Sequence, residues 1–428
     1  MENGQNPQGA SQQQATRPPA APKTKITDFF SQISPLGTPA TRGGLPRSLQ
    51  NNPLAPLSRF TKSSDFPPSP YPSSSSSANS VSERERNSRV SRGMNSTTKS
   101  SRLARVPYAS DGRPARLAHD SPVRMSNLTV ARNNATLLPR LAAQRPDINP
   151  KLFTQYDRSS KLPPLDPARC PGYSAAKVVV INEDTINAAL KLQGIVGQEA
   201  TALQMSNAST AKPAPLPGPR VAAMNFANAR TPGGGYIRGA MAQEEALCYR
   251  SSLYMSLKGA TYPWNIDHVL YTPDVLVHRR DTRAHHQLFT DVDPRITTAD
   301  LPVISIISVA AETRVRLAFG SAESRSAGHL VNRPEIFAQK RERDHYKLKL
   351  RMSLRALATH GHSAVVMGAL GCGVFRNPVH DAALCWREVL TEPEFKGWFS
   401  HVWFAVMGPL TSDNKFAIFN LYLGGVEI

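Results

Sequence analysis

Pro232-Gly-Gly-Gly-Tyr-Ile-Arg-Gly-Ala-Met-Ala-Gln-Glu-Glu245 is the stretch from which the rest of the chain can be read. Val221-Ala-Ala-Met-Asn-Phe-Ala-Asn-Ala229 runs into it as an apolar segment ending in asparagines, and residues 246–258 after it read as a helix. The order is therefore strand, glycine loop, adjacent carboxylates, helix. Glycine allows positive φ and a close approach of backbone to ligand, and the N–H groups of Gly233, Gly234 and Gly235 can form an anion-binding nest. Glu244 and Glu245 beside such a loop suggest acid–base chemistry next to a bound phosphate. A sharp turn, or acids favoured by the dipole of a solvated helix N-terminus, would use the same residue types. Two rival phosphate signatures fail. Neither glycine loop carries the Gly-Lys-Ser/Thr of a P-loop, and Arg238 stands where a dinucleotide fingerprint starting at Gly233 needs its third glycine.

A second glycine stretch, Gly368-Ala-Leu-Gly-Cys-Gly-Val-Phe-Arg-Asn377, follows another apolar segment, residues 363–368. Between the two loops the sequence predicts strands over 268–278, interrupted at Pro273, and over 302–309. A long helix is expected over 334–359, with Leu350, Leu354 and Leu357 on one face and Gly361 at its C-cap. Upstream, residues 128–141 read as a helix, 162–171 as a proline-rich connection and 177–181 as a strand. Glu183 or Asp184 would cap a helix over 185–192, and 211–219 is a proline-rich loop. Downstream come a helix over 378–390 and a strand over 401–407. Strands alternating with helices argue for an α/β domain whose mostly parallel sheet is covered by helices on both faces, with ligands at the carboxyl ends of the strands.

The two motifs together resemble the poly(ADP-ribose) glycohydrolases. The flanks Asn225-Phe-Ala-Asn-Ala and Cys248-Tyr-Arg-Ser-Ser-Leu-Tyr254 look most like the microbial-type branch. The resemblance covers roughly residues 125–410 and implies a macrodomain-like fold over residues 121–428. It makes Glu245 the general acid and Glu244 the residue that orients the ribose hydroxyls. It places Asn228 against a ribose, and Gly233, Gly234, Gly235 and Gln243 around the ligand. It also implies that Gly371, Cys372, Gly373, Val374 and Phe375 form a diphosphate loop, with Phe375 stacked near the distal ribose or adenine. Asn228 can equally be a turn former and Phe375 a core residue. Cys372, between two glycines and without a histidine partner, reads as small and buried. Where the family has a Pro-rich, Asn-containing turn after the 304–309 strand, this chain has Ala310-Ala-Glu-Thr313, and residues 319–331 have no counterpart. The adenine-side contacts are therefore left open.

The expected reaction is hydrolysis of ribose–ribose O-glycosidic bonds of poly(ADP-ribose), releasing ADP-ribose, with no cofactor and no metal. The alternatives are a non-hydrolytic ADP-ribose reader, for which an acid would be superfluous, and a hydrolase of single ADP-ribose units on protein or nucleic acid. His285-His286 and His360-Gly-His362 lack spaced Cys or carboxylate partners and read as solvated or capping residues rather than metal ligands.

Residues 1–120 form a Ser/Pro-rich basic tail that is too poor in apolar residues to offset its ordering entropy. Residues 1–150 hold 20 Lys+Arg against 8 Asp+Glu, a large part of the chain's +19. The tail is expected to be either an arm for polymer or nucleic acid or a solvated linker with an import signal. Lys23-Thr-Lys-Ile-Thr-Asp-Phe-Phe30 resembles the PIP box that binds the sliding clamp PCNA, with Ile26, Phe29 and Phe30 as apolar prongs and Lys23 in place of the usual glutamine. That partner implies the nucleus and DNA repair, with the cytoplasm as the alternative. Four lone cysteines suggest a reducing compartment. No secretory signal is expected at the N-terminus, and no apolar run is long enough to span a bilayer.

Overall fold

A computed structural model describes residues 121–157, 160, 162–206, 220–320, 325–326, 329–330, 334–408 and 414–428. The basic tail, including Ile26, Phe29 and Phe30, and the 211–219 loop lie outside the described residues. In chain order the elements are α1 (Pro122–Ala143), β1 (Thr154–Tyr156), β2 (Val179–Ile181), α2 (Thr185–Ser206), β3 (Ala222–Phe226), α3 (Gln243–Arg250), α4 (Leu253–Leu257), β4 (Val269–Leu276), α5 (Phe289–Val292), β5 (Val303–Val309), β6 (Leu317–Phe319), β7 (Arg325–Ser326), β8 (His329–Leu330), β9 (Glu335–Phe337), α6 (Lys340–Thr359), β10 (Ala364–Met367), α7 (Val379–Leu390), β11 (His401–Ala405) and α8 (Lys415–Leu423).

Seven strands form one sheet in the order β1-β4-β5-β3-β10-β11-β2. The run from β5 to β2 is parallel, and β1 and β4 are antiparallel. β5 is buried at every position, as a strand covered on both faces must be. Alternate side chains serve two cores. Ala222, Met224, Ile307, Val309, Val365 and Met367 face α6, α7 and α8. Val221, Ala223, Ile304, Ile306, Ala364 and Val366 face the core built with α1 to α4. The mixed, mostly parallel α/β sheet covered on both faces is the one the sequence predicts.

Several boundaries differ from expectation. The helix predicted over 246–258 is two helices. Ser251 is extended (φ −144°, ψ 176°) and pairs with Val277, and the Arg250 carbonyl accepts from the His278 and Arg279 amides. Edge pairing with the chain after β4 thus wins over helix continuity. The 334–359 helix starts only at Lys340, because residues 335–337 pair as β9 with β6. α2 runs to Ser206, with Asp184 as its cap: its Oδ1 accepts from the Ile186 and Asn187 amides. Pro273 interrupts nothing; β4 absorbs it as a register shift between Thr272 and Val275. Gly361 does take the left-handed φ of 77° just past α6.

Candidate active site

β3 and β10 are neighbouring parallel strands, with Val365 opposite Ala222. Each glycine loop leaves a carboxyl end of one of them, so the topology brings the two loops together.

The first loop is built around the glutamates. α3 begins at Gln243, placing Glu244 and Glu245 in its first turn, and both are buried, at 3% and 7% exposed. Glu244 Oε2 accepts the Asn228 amide at 2.8 Å, and Oε1 lies 3.5 Å from Asn225 Nδ2. Glu245 Oε1 accepts the Gly235 amide at 2.7 Å. Burial pushes the Glu244 carboxyl up to about 8, with a contribution from the charge of Glu245, against the pull of the Asn228 and Gly233 amides. An anion nest is present, but the anions in it are the protein's own carboxylates. The Gly235 amide, which the ligand reading needs free, is taken by Glu245, and the Gly234 amide donates to the Thr231 carbonyl.

Glycine is required at Gly234. Its φ is +56°, and a Cβ there would lie 2.6 Å from Glu245 Oε1 and 3.0 Å from Glu244 Oε2. Gln243 has a different job from ligand contact. Its Oε1 accepts the Phe226 amide at 2.8 Å and its Nε2 donates to the Met224 carbonyl at 2.8 Å, so the amide pins α3 to β3. Asn228 uses its side-chain oxygen as a turn former, accepting the Arg230 and Thr231 amides. Its backbone amide holds Glu244.

Sequence reasoning missed the supports. Asn225 is fully buried on β3 and reaches Ser308 Oγ at 3.1 Å as well as Glu244; the signal was an amide inside an apolar strand. The Tyr249 hydroxyl donates to the Tyr236 and Ala240 carbonyls, tying α3 to the loop. α1 lies over the same loop through Arg124 Nε to the Arg238 carbonyl at 3.0 Å.

In the second loop, Gly371 has φ +72°, and a Cβ there would meet the Ala311 methyl at 2.6 Å. Tyr346 donates to the Leu370 carbonyl, and Asn377 Nδ2 donates to the Glu312 carbonyl at 2.9 Å. Cys372 is buried as expected, and its thiol is pushed up to about 12 by burial. Gly373 is exposed, and a Cβ there would touch nothing within 4 Å. Val374 is 57% exposed, while Phe375 is half-buried against the core. The tip of this loop therefore carries a glycine that no protein contact requires. His360 stacks on Tyr271 at 3.7 Å, and His362 bonds the Tyr271 hydroxyl and the Arg220 carbonyl. Among the described residues no group of three His, Cys, Asp or Glu is placed to hold a metal, and no helix is long and apolar enough to cross a membrane.

Residues 149–280 match the family model described as microbial-type PARG, catalytic domain. That span contains β3, the first glycine loop and both glutamates. This segment is similar to the catalytic domain of the microbial-type PARG family. The PARG match ends before the second loop. Similar solved structures include the poly(ADP-ribose) glycohydrolase of Thermomonospora curvata, 23% identical over 69% of this chain and 98% of that one, with a TM-score of 0.46. A complex of the same protein with the inhibitor ADP-HPD is 24% identical over 69% and 98%, with a TM-score of 0.45. The Deinococcus radiodurans enzyme in complex with ADP-ribose is 26% identical over 67% and 97%, with a TM-score of 0.43. No curated protein matches the chain.

Proposed function

We infer that this protein is a poly(ADP-ribose) glycohydrolase that cleaves ribose–ribose O-glycosidic bonds and releases ADP-ribose. One observation carries the reading: two adjacent buried glutamates held by backbone amides at the carboxyl end of β3, inside the PARG-matched segment. Gly373 and Val374 supply the exposed backbone that approaches the diphosphate, and Phe375 flanks it. Glu245 donates a proton to the leaving ribose oxygen as the anomeric carbon gains oxocarbenium character, and Glu244 orients the ribose hydroxyls. Water then adds to that carbon and its proton returns to the carboxylate pair. General acid assistance of this kind contributes on the order of 10²–10⁴ in rate.

The raised pKa of Glu244 favours a second assignment, in which Glu244 holds the proton at neutral pH and supplies it. Glu244→Gln would then lower turnover as a loss of the proton donor does, by about 10²–10⁴-fold, and Glu245→Gln would leave the proton donor in place; under the first assignment the two variants exchange these outcomes. The test of the activity itself is release of ADP-ribose from polymer by the purified full chain. Binding without release between pH 5 and 8 would make the protein a reader.

The tail adds a location to this reading. Ile26, Phe29 and Phe30 dock on PCNA as a three-pronged plug, which places the enzyme in the nucleus near DNA repair, and the basic charge of the tail holds polymer or nucleic acid. A peptide of residues 20–36 binds the clamp, and its Phe29→Ala/Phe30→Ala form does not. An unsubstituted peptide that fails to bind ends the docking proposal and leaves the glycohydrolase assignment standing.

A further inference from the structure

α1 is the first described element, and it ends before the segment that matches the family model begins. It nevertheless lies against the signature stretch. Residues 124, 127, 131 and 134 are spaced so that they share one face of the helix. That face buries two asparagines, Asn127 at 2% and Asn134 at 0% exposed. A buried amide is costly unless its hydrogen bonds are made, and both bond backbone that surrounds the glutamates. Asn127 Nδ2 donates to the Gly239 carbonyl at 3.4 Å. Asn134 Nδ2 donates to the Tyr249 carbonyl at 2.9 Å, near the end of α3, while its Oδ1 accepts from Arg279 Nε at 2.9 Å. α1 thus holds the first glycine loop with one end and, with its middle, the helix that carries Glu244 and Glu245.

Contact at the loop end is close. Gly239 has φ +74°, and a Cβ there would lie 2.6 Å from the Arg124 carbonyl oxygen and 2.8 Å from Arg124 Cγ. The neighbour that requires this glycine of the signature stretch is therefore α1. One residue earlier, Arg124 Nε donates to the Arg238 carbonyl at 3.0 Å. From there the bonds run inward. The Arg238 amide donates to the Gly235 carbonyl at 2.9 Å, closing the turn over residues 236–238. The Gly235 amide donates to Glu245 Oε1 at 2.7 Å. Three hydrogen bonds in series thus link the half-buried Arg124 to a buried carboxyl.

That carboxyl gains negative charge when it gives up its proton. An amide already fixed on it stabilises the charge without reorganising. We propose that Arg124 is a positioning residue for Glu245: it holds the 236–238 turn against α1 and so keeps the Gly235 amide aimed at the carboxyl. The proposal rests on the reading of Glu245 as the proton donor. Loss of the bond slows proton transfer and leaves ligand binding unaltered.

The test compares two substitutions in the full chain. Glutamine places Nε2 where arginine has Nε, and so keeps the donor without the charge; methionine places a methyl there. In Arg124→Met, hydrogen exchange at the Gly235 amide is expected to quicken about fivefold to tenfold. The kcat for release of ADP-ribose from polymer is expected to fall about tenfold, with KM within about twofold of wild type. Arg124→Gln should stay within about twofold of wild type in all three quantities, because the hydrogen bond survives. Wild-type exchange and kcat in the methionine variant overturn the proposal. A glutamine variant as impaired as the methionine one overturns it as well, because the effect then belongs to the charge. Faster exchange throughout the domain, with a lower melting temperature, makes α1 a merely structural helix and has the same consequence. A wild type that releases no ADP-ribose overturns the reaction, and exchange at Gly235 then decides the positioning by itself.

Discussion

The two glycine loops leave adjacent parallel strands at the same edge of the sheet, yet their glycines answer different constraints. In the first, a Cβ on Gly233 would lie 2.8 Å from the Tyr254 ring, on Gly234 2.6 Å from Glu245, and on Gly235 2.4 Å from the Ala240 methyl. Every one of these glycines is fixed by a protein neighbour, and the Gly233 and Gly235 amides turn inward onto carboxylates. In the second, Gly371 is fixed in the same way against Ala311, but Gly373 faces open space. The first loop is a mould for two acidic side chains; the second presents bare backbone outward. A glycine motif can therefore mark a place where the protein approaches itself or a place where a ligand approaches the protein, and a Cβ contact distance tells the two apart.

The sharpest way to break this contrast is Gly234→Ala. The new methyl collides with both carboxylates at a residue with φ +56°, so stability should drop by about 1–3 kcal/mol and turnover should fall at least about a hundredfold. Thermal melting and polymer hydrolysis on the same preparation check it.

A second way to break the contrast is the pH dependence contributed by Glu244, which touches turnover less than the Gly234 substitution does. Its folded pKa of about 8 lies above the ordinary carboxyl value of 4.5, so the folded chain binds this proton more tightly than the unfolded one. The stabilising contribution is complete below pH 4.5 and is lost as pH rises through 8, at a slope of up to about 1.4 kcal/mol per pH unit. Glu244→Gln should flatten that part of the stability curve, so melting temperatures of the two proteins converge at low pH and the variant gains relative to wild type toward pH 8.5. Parallel curves would show that the carboxyl is not buried in its protonated form.

The smallest effect belongs to Gly373→Ala. Melting temperature should be unchanged, because the methyl meets no protein atom, while ADP-ribose affinity falls several-fold, up to about tenfold. Loss of stability without loss of affinity would return Gly373 to the class of Gly234.

The elements with strong periodicity were legible in the sequence. β3, β5 and β10 appear as apolar runs, and α7 begins at the proline-marked boundary. Both glycine loops were placed at the ends of the right strands, because a strand–glycine–acid order has few other readings. What escaped depends on partners distant in sequence. β9 looks helical until β6 pairs with it. The break at Ser251 is set by Val277, and α8 is apolar on nearly every side, with Asn414 before it and Gly424 after it as boundary signals. Within the site, Gln243 looked like a ligand contact because its motif neighbours are acids, and only the distances to Phe226 and Met224 reveal a clamp on β3. Asn225 is not legible as a site residue in the sequence, because an amide in a strand becomes informative only when the carboxylate it faces is known.

The central claim is that the first loop holds the chemistry, and turnover by Glu245→Gln tests it most directly. Glutamine keeps the shape and the acceptor for the Gly235 amide but has no proton to donate. The rate of ADP-ribose release should fall about 10²–10⁴-fold, with ADP-ribose affinity within about twofold of wild type. Full turnover by this variant would contradict the account.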